Sequence, residues 1–206
     1  MIAAIFATLM MMQSLDDTGT AVAQPIGRAQ LEPVSGSYFQ VFEFYGRPPH
    51  TWKHATRMVK GYHHEGREGR LALIKDGTTH YFLLLNFEML RTYKMWIGLS
   101  AVCNKQADLV WLDDTPLSET SFRAWSRVAQ KGIRDRCKRL EGSGTALPIY
   151  YDPSIYGVRW EVADPQQNVI HMMVEFPVPA AIEAEKEASE TPAEITDEIT
   201  GETTGR

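Results

Sequence analysis

An α+β domain with a mostly antiparallel sheet is the fold class that this sequence predicts. Two segments early in the body carry apolar residues at helical spacing, and a series of short apolar runs separated by turn residues follows them. Helices followed by many short strands suit an α+β architecture. The chain has 206 residues, 44% hydrophobic and 23% charged, enough to bury one core without disulfides or metals. That composition excludes a wholly disordered or collagen-like chain. No stretch reaches the ~18 apolar residues that read as a membrane span.

Residues 1–12 (MIAAIFATLMMM) are apolar and match the central region of a signal peptide in length, and Ala21, Val22 and Ala23 form an A-x-A cleavage pattern before Gln24. Residues 1–23 are therefore expected to be a signal peptide, and the protein to be exported to a periplasmic or extracellular location. No Lys or Arg precedes the apolar run, and Asp16 and Asp17 lie before the cut; a short apolar helix, or a start inside a longer leader, is the alternative. Residues 24–36, with Pro25, Gly27, Pro33, Ser35 and Gly36, read as a linker.

The body, residues 37–176, holds all five Trp. It opens with an aromatic strand over residues 38–44. Trp52, Ala55 and Val59 share one face of a helix over residues 50–60, with Thr51 as N-cap and Gly61 after its end. Residues 71–74 form a short buried strand. A second helix is expected over residues 76–90, capped at Asp76 or Thr78, with Phe82, Leu85 and Met89 on one face. Apolar runs at 95–99, 109–112, 147–151, 158–162 and 169–176 supply the remaining strands. Residues 177–206 are a Glu/Thr/Ala mixture without aromatics that cannot offset its ordering entropy, and are expected to form an acidic disordered tail; a helix over 180–190 is the alternative. Eight acids there stand against Lys186 and Arg206, a charge of −6, so residues 1–176 carry +1 of the chain's −5. An acidic total is thus no evidence against an anionic ligand.

The order of landmarks is specific. TWKHA (51–55) is followed by GRLALI (69–74), then WIGL (96–99), VWLDDTPL (110–117), FRAW (122–125), VRW (158–160) and MVEF (173–176). This series resembles the C-type lectin-like domain, over nearly the whole of residues 37–176; only 126–146 matches nothing. The resemblance implies two helices, a mostly antiparallel two-part sheet and a long loop region where ligands usually bind. It also implies core roles for Trp96, Ile97 and Leu99 and a close backbone approach at Gly98.

The family usually ties its first helix to its last strand by a disulfide. The corresponding positions here are Val59 and Val174, so an apolar contact replaces the bridge. The family's second bridge falls near residues 148 and 165, both Pro. The cysteines present, Cys103 and Cys137, border the long loop; they form either one disulfide outside the family pattern or two separate thiols. Sugar-binding members of the family hold calcium through a Glu/Gln-Pro-Asn/Asp tripeptide and an Asn-Asp pair after the late Trp. Neither is present here: Glu161 and Val162 follow Trp160, and Asp152 and Glu161 are too few for a six- to eight-oxygen site. No metal, and no calcium-dependent sugar binding at that place, is therefore expected.

Residues 123–139 carry seven bases, Arg123, Arg127, Lys131, Arg134, Arg136, Lys138 and Arg139, against Asp135 alone. Phe122, Trp125, Ala129, Ile133, Cys137 and Leu140 recur at helical spacing, which predicts a packed helix, bent near Gly132, with a basic outer face. That face is either a plain solvated surface or an anion site for a sulfated or phosphorylated glycan, an envelope lipid or an acidic protein surface. No motif supports nucleic-acid binding. His50 and His54 at i, i+4, and His63-His64-Glu65, lack any zinc-site pattern. Cys137 among bases has no partner base, and no catalytic triad spacing or cofactor motif is found. The sequence thus predicts a non-catalytic, calcium-independent binding module without cofactors, with a glycan, an anionic envelope component or a protein as partner. The alternative is a structural or assembly scaffold on the same fold.

Overall fold

The computed structural model describes residues 22–179; the expected signal peptide up to residue 21 and the acidic tail from residue 180 lie outside the described residues. The elements are β1 (Val22–Leu31), β2 (Tyr38–Tyr45), α1 (Trp52–Met58), β3 (His63–His64), β4 (Arg67–Glu68), β5 (Arg70–Leu71), α2 (Gly77–Asn86), β6 (Met95–Cys103), β7 (Ala107–Trp111), α3 (Ala129–Arg139), β8 (Ala146–Asp152), β9 (Arg159–Val162) and β10 (His171–Phe176). The class is α+β, as expected.

One sheet runs in the order β1-β2-β10-β6-β8-β9, with β5 added on β10 and β7 on β6; β3 and β4 form a separate hairpin. All pairings in the large sheet are antiparallel except β10 with β6. That parallel contact spans only His171–Met95 and Met172–Trp96. It joins the two parts of the sheet, one carrying β1, β2 and β10, the other β6 to β9.

Residues 24–31 are not the linker that their Pro and Gly suggested. They belong to β1, an edge strand paired antiparallel with β2, and its register shifts between Ile26 and Gln30, beside Gly27 at φ +67°. An edge strand tolerates Pro25 because an outward backbone position needs no N–H. Val22 and Ala23 of the expected cleavage pattern belong to this strand: Ala23 is buried, and its carbonyl accepts a hydrogen bond from the Tyr62 hydroxyl. The following turn is built by buried Glu32, whose carboxylate accepts from the Val34 and Ser35 amides.

Helix α1 starts where Thr51 Oγ1 accepts from the His54 amide at 3.4 Å. Trp52 Nε1 donates to the Ile97 carbonyl at 2.7 Å and so ties the helix to β6. Val59 and Val174 are both buried in one apolar cluster with Trp96 and Phe176, where the family pattern would place a disulfide. Helix α2 is capped by Asp76, whose carboxylate accepts from the Thr79 amide at 2.8 Å. It ends at Asn86, earlier than expected, and a tight turn over Glu88–Arg91 follows. Its buried face is Thr79, His80 and Leu83, whereas Leu85 is 76% exposed. The run Phe82-Leu83-Leu84-Leu85 is apolar all round, so periodicity alone could not choose the face; a hydrogen bond from His80 to the core chooses it.

In β6, Gly98 donates to the Ala72 carbonyl and accepts from Leu112. A Cβ there would lie 2.5 Å from Leu73 Cδ2 and 2.7 Å from the Leu71 carbonyl oxygen, so this crossing requires glycine. Glu175 in β10 is buried, and its carboxylate accepts from Arg70 Nη2 at 3.0 Å, Arg70 Nε at 3.2 Å, the Leu73 amide at 3.0 Å and Ser37 Oγ at 3.2 Å. Strands β10 and β2 and the 70–73 segment are held together at this one carboxylate. A charge so buried persists only when its oxygens are satisfied in this way.

Candidate ligand-binding site

The basic segment folds into an ordered surface. Ala129, Ile133 and Cys137, at i, i+4 and i+8, are the buried face of α3, which packs on β9, β6 and β7. Gly132 does not interrupt the helix, which runs unbroken over Ala129–Arg139. A Cβ there would meet Val162 Cγ1 at 3.1 Å, so the missing side chain brings α3 close to β9 instead. Ser126 Oγ accepts from the Ala129 amide at 3.0 Å and donates to Glu161 Oε2 at 2.6 Å, which satisfies the entry to the helix. Cys103 and Cys137 are joined in a disulfide that staples α3 to the end of β6. Three bases, Arg136, Lys138 and Arg139, stand in the last turn, where the negative end of the helix dipole favours them.

The residues before the helix do not continue it. The Trp160 amide donates to the Ala124 carbonyl at 2.6 Å and the Ser126 amide to the Trp160 carbonyl at 3.0 Å. Phe122 and Trp125 stand edge-on to Trp160, with ring centroids 5.6 and 5.2 Å away. Pairing with β9 therefore claims residues 122–126, although their apolar spacing is helical.

The seven predicted bases divide by this geometry. Arg123 is occupied locally: its guanidinium donates to the carbonyls of Thr120, Phe122 and Leu117. Arg136 donates to the Val162 carbonyl at 2.7 Å and stands 3.5 Å from Asp164, so it fastens α3 to the end of β9. Arg127 lies over the ring of Tyr156, 5.3 Å from its centroid. Lys131 pairs with Asp135 at 2.5 Å, and that lysine, through its hydrogen bond, holds the Asp135 carboxyl below the usual carboxylate range. Arg134, Lys138 and Arg139 are exposed and make no hydrogen bond or ion pair with any described side chain. Lys131, Arg134 and Lys138 share one helical stripe at i, i+3 and i+7, with Arg139 at its edge. What remains of the predicted set is a face of four cations and one acid, anchored through a disulfide.

The two acids left over from the family's calcium position are engaged elsewhere: Asp152 stands 3.4 Å from Lys94 Nζ, and Glu161 takes Ser126. The histidines do not converge either. His50 is buried against Phe44, with stacked rings 5.0 Å apart, and burial lowers its pKa. His54 Nδ1 lies against the Pro49 carbonyl, and His64 packs on Tyr38 and Phe176. Among the described residues no three His, Cys, Asp or Glu side chains gather as a metal site would require.

Two features were not read from the sequence. His80, only 4% exposed, shares a 2.7 Å hydrogen bond with the hydroxyl of fully buried Tyr151 and packs on Phe122. Burial, and then the charge of Arg159, push its pKa down to about 4, so it is a neutral core residue near neutral pH. A cleft of about 920 Å³ opens beside Tyr38, Arg67, Arg70, Lys75 and Glu175. Its cations are matched internally, Arg70 by Glu175, and Lys75 by Asp113 at 2.5 Å, while Arg67 donates to the Gly36 carbonyl at 2.6 Å. The signal for both features is buried polar pairing between distant residues, which no local pattern carries.

No protein-family model and no curated protein matches this chain. Among solved structures it is similar to EMS16, an antagonist of collagen receptor integrin alpha2beta1 (GPIa/IIa), at 19% identity and TM-score 0.39, over 69% of this chain and 92% of that one. It is likewise similar to rhodocetin, at 16% identity and TM-score 0.39, over 75% of this chain and 94% of that one. Both of these proteins are C-type lectin-like.

Proposed function

We propose that this chain is a non-catalytic, exported binding module that takes anionic surfaces, a sulfated or otherwise acidic glycan first among them, on the outer face of α3 without calcium. The observation that carries this reading is the stripe of Lys131, Arg134 and Lys138, with Arg139 beside it, where Asp135 is the one acid within residues 123–139. A cationic face on a rigid element concentrates polyanions through its field. Export is supported by the Cys103–Cys137 disulfide, a bond that persists in oxidising compartments. A second reading, a protein-binding or scaffold surface, has its own support. Ile155 is 92% exposed and Tyr156 65%, and Arg127 lies over the Tyr156 ring, a mixture of aliphatic, aromatic and Arg side chains common at protein interfaces.

The test is retention on immobilised heparin, with and without a calcium chelator and across a salt series. Binding should weaken with salt, ignore the chelator and fall when Arg134, Lys138 and Arg139 are all replaced by Ser. Arg136 stays in place because it holds the helix. Loss of retention with the chelator, or an unchanged triple variant, refutes the anion reading. Amino-terminal sequencing of native protein tests export; a chain beginning at Met1 in a cytoplasmic fraction refutes it.

A further inference from the structure

The occupant of the α3 face is written in the same chain. We infer that the acidic segment after Pro179 docks intramolecularly on the outer face of α3 and screens it from external anions. Residues 180–206 carry Glu183, Glu185, Glu187, Glu190, Glu194, Asp197, Glu198 and Glu202 against Lys186 and Arg206, a charge of −6. The face they would meet carries Lys131, Arg134, Lys138 and Arg139, and its one acid, Asp135, is already taken by Lys131.

The two surfaces have opposite sign and no described ion pair satisfies the last three cations. The other charged surface near the exit of the segment is closed to it. Pro177 and Val178 border the cleft of Arg67, Arg70 and Lys75, but Arg70 and Lys75 are already paired with Glu175 and Asp113, and Arg67, the one cation there without an acid, donates to the Gly36 carbonyl and lies over the Tyr38 ring. The segment therefore gains little there and more on α3.

Reach does not limit the contact. Twenty-seven residues follow Pro179 in this sequence, a contour of roughly 90 Å. A folded body of this size has a radius of gyration of about 15 Å, so every point of its surface lies within that length. Tethering turns the encounter into an intramolecular one with an effective concentration on the order of millimolar. Pairs that are individually weak at an exposed surface can then be populated together.

The inference uses the same face as the proposed glycan binding, but the experiment below needs no external ligand, so either can fail alone. The full chain is treated with a zero-length carbodiimide, which joins Lys amines to carboxylates in contact, and the monomer band is digested and mapped. Lys131 and Lys138 are the handles, and the Lys131–Asp135 pair at 2.5 Å is the internal control. Links from Lys131 or Lys138 to Glu183–Glu202 are expected in the monomer band at about 0.1 M salt. They should vanish near 1 M salt, where the Debye length drops from ~10 Å to ~3 Å. Replacing Arg134 and Arg139 by Ser keeps both handles and should lower the yield roughly threefold to tenfold, with an unchanged melting temperature. The control link alone, a yield unmoved by the Arg changes, or tail links confined to a dimer band would each overturn the inference.

Discussion

Lowering the pH from about 7 to about 5 should destabilise this fold through His80 more than through any other single residue. The ring is 4% exposed and its Nδ1 is engaged by the Tyr151 hydroxyl at 2.7 Å. Its folded pKa is pushed down to about 4, by burial first and then by Arg159, whereas an unfolded His titrates near ~6.5. Between those values the unfolded chain binds a proton that the folded chain refuses. The stabilisation is therefore complete above ~6.5 and is lost as the pH falls through 6.5 toward 4. A difference of roughly 2.5 corresponds to about 3 kcal/mol at full extent, and about 2 kcal/mol of it is lost between pH 7 and 5. With a urea slope of about 2 kcal/mol/M, the unfolding midpoint should drop by about 1 M. Burial also lowers the pKa values of His50 and His171, which adds a loss of the same sign. The comparison is therefore with His80→Gln, which removes the titration and keeps a polar side chain at the position. The variant should be less stable at pH 7 and should lose clearly less on acidification than the parent. Equal losses in the two proteins would refute the reasoning, as would an NMR titration placing the His80 pKa near 6.5.

Three further outcomes are expected. Glu175→Ala strands the Arg70 guanidinium, the Leu73 amide and Ser37, and should cost about 3–5 kcal/mol by chemical denaturation; a loss below about 1 kcal/mol would show that the carboxylate does not hold these strands. Replacing Cys103 and Cys137 together by Ser opens a loop of 34 residues and should cost about 3–4 kcal/mol, read from the denaturation midpoints of the two proteins. Gly98→Ala places a Cβ 2.7 Å from the Leu71 carbonyl oxygen, a backbone atom that yields only if the strand shifts, and should lower stability by about 1–3 kcal/mol; an unchanged melting temperature would mean the 71–74 segment moves freely.

What the sequence determined by itself is what short-range chemistry encodes. Thr51 and Asp76 cap the helices that they were expected to cap, because a cap is a bond between neighbours. The apolar runs at 95–99 and 147–151 lie in β6 and β8, and 159–162 of the run at 158–162 form β9, because a short apolar run bounded by turn residues marks a buried strand. The buried face of α3 and the basicity of the opposite face were legible for the same reason. Tertiary contacts decided the rest. The supposed linker became β1 because β2 offered an edge where Pro25 costs nothing. Residues 122–126 left the helix because Trp160 claimed their backbone. The Leu-rich α2 chose its face because His80 met Tyr151, 71 residues away. Of seven equivalent bases, four cations remain together on the outer face of α3 because nearby carbonyls, an aromatic ring and Asp164 claimed Arg123, Arg127 and Arg136. Each of these is a competition between a local preference and a partner distant in sequence, and only the folded chain brings that partner within hydrogen-bonding distance.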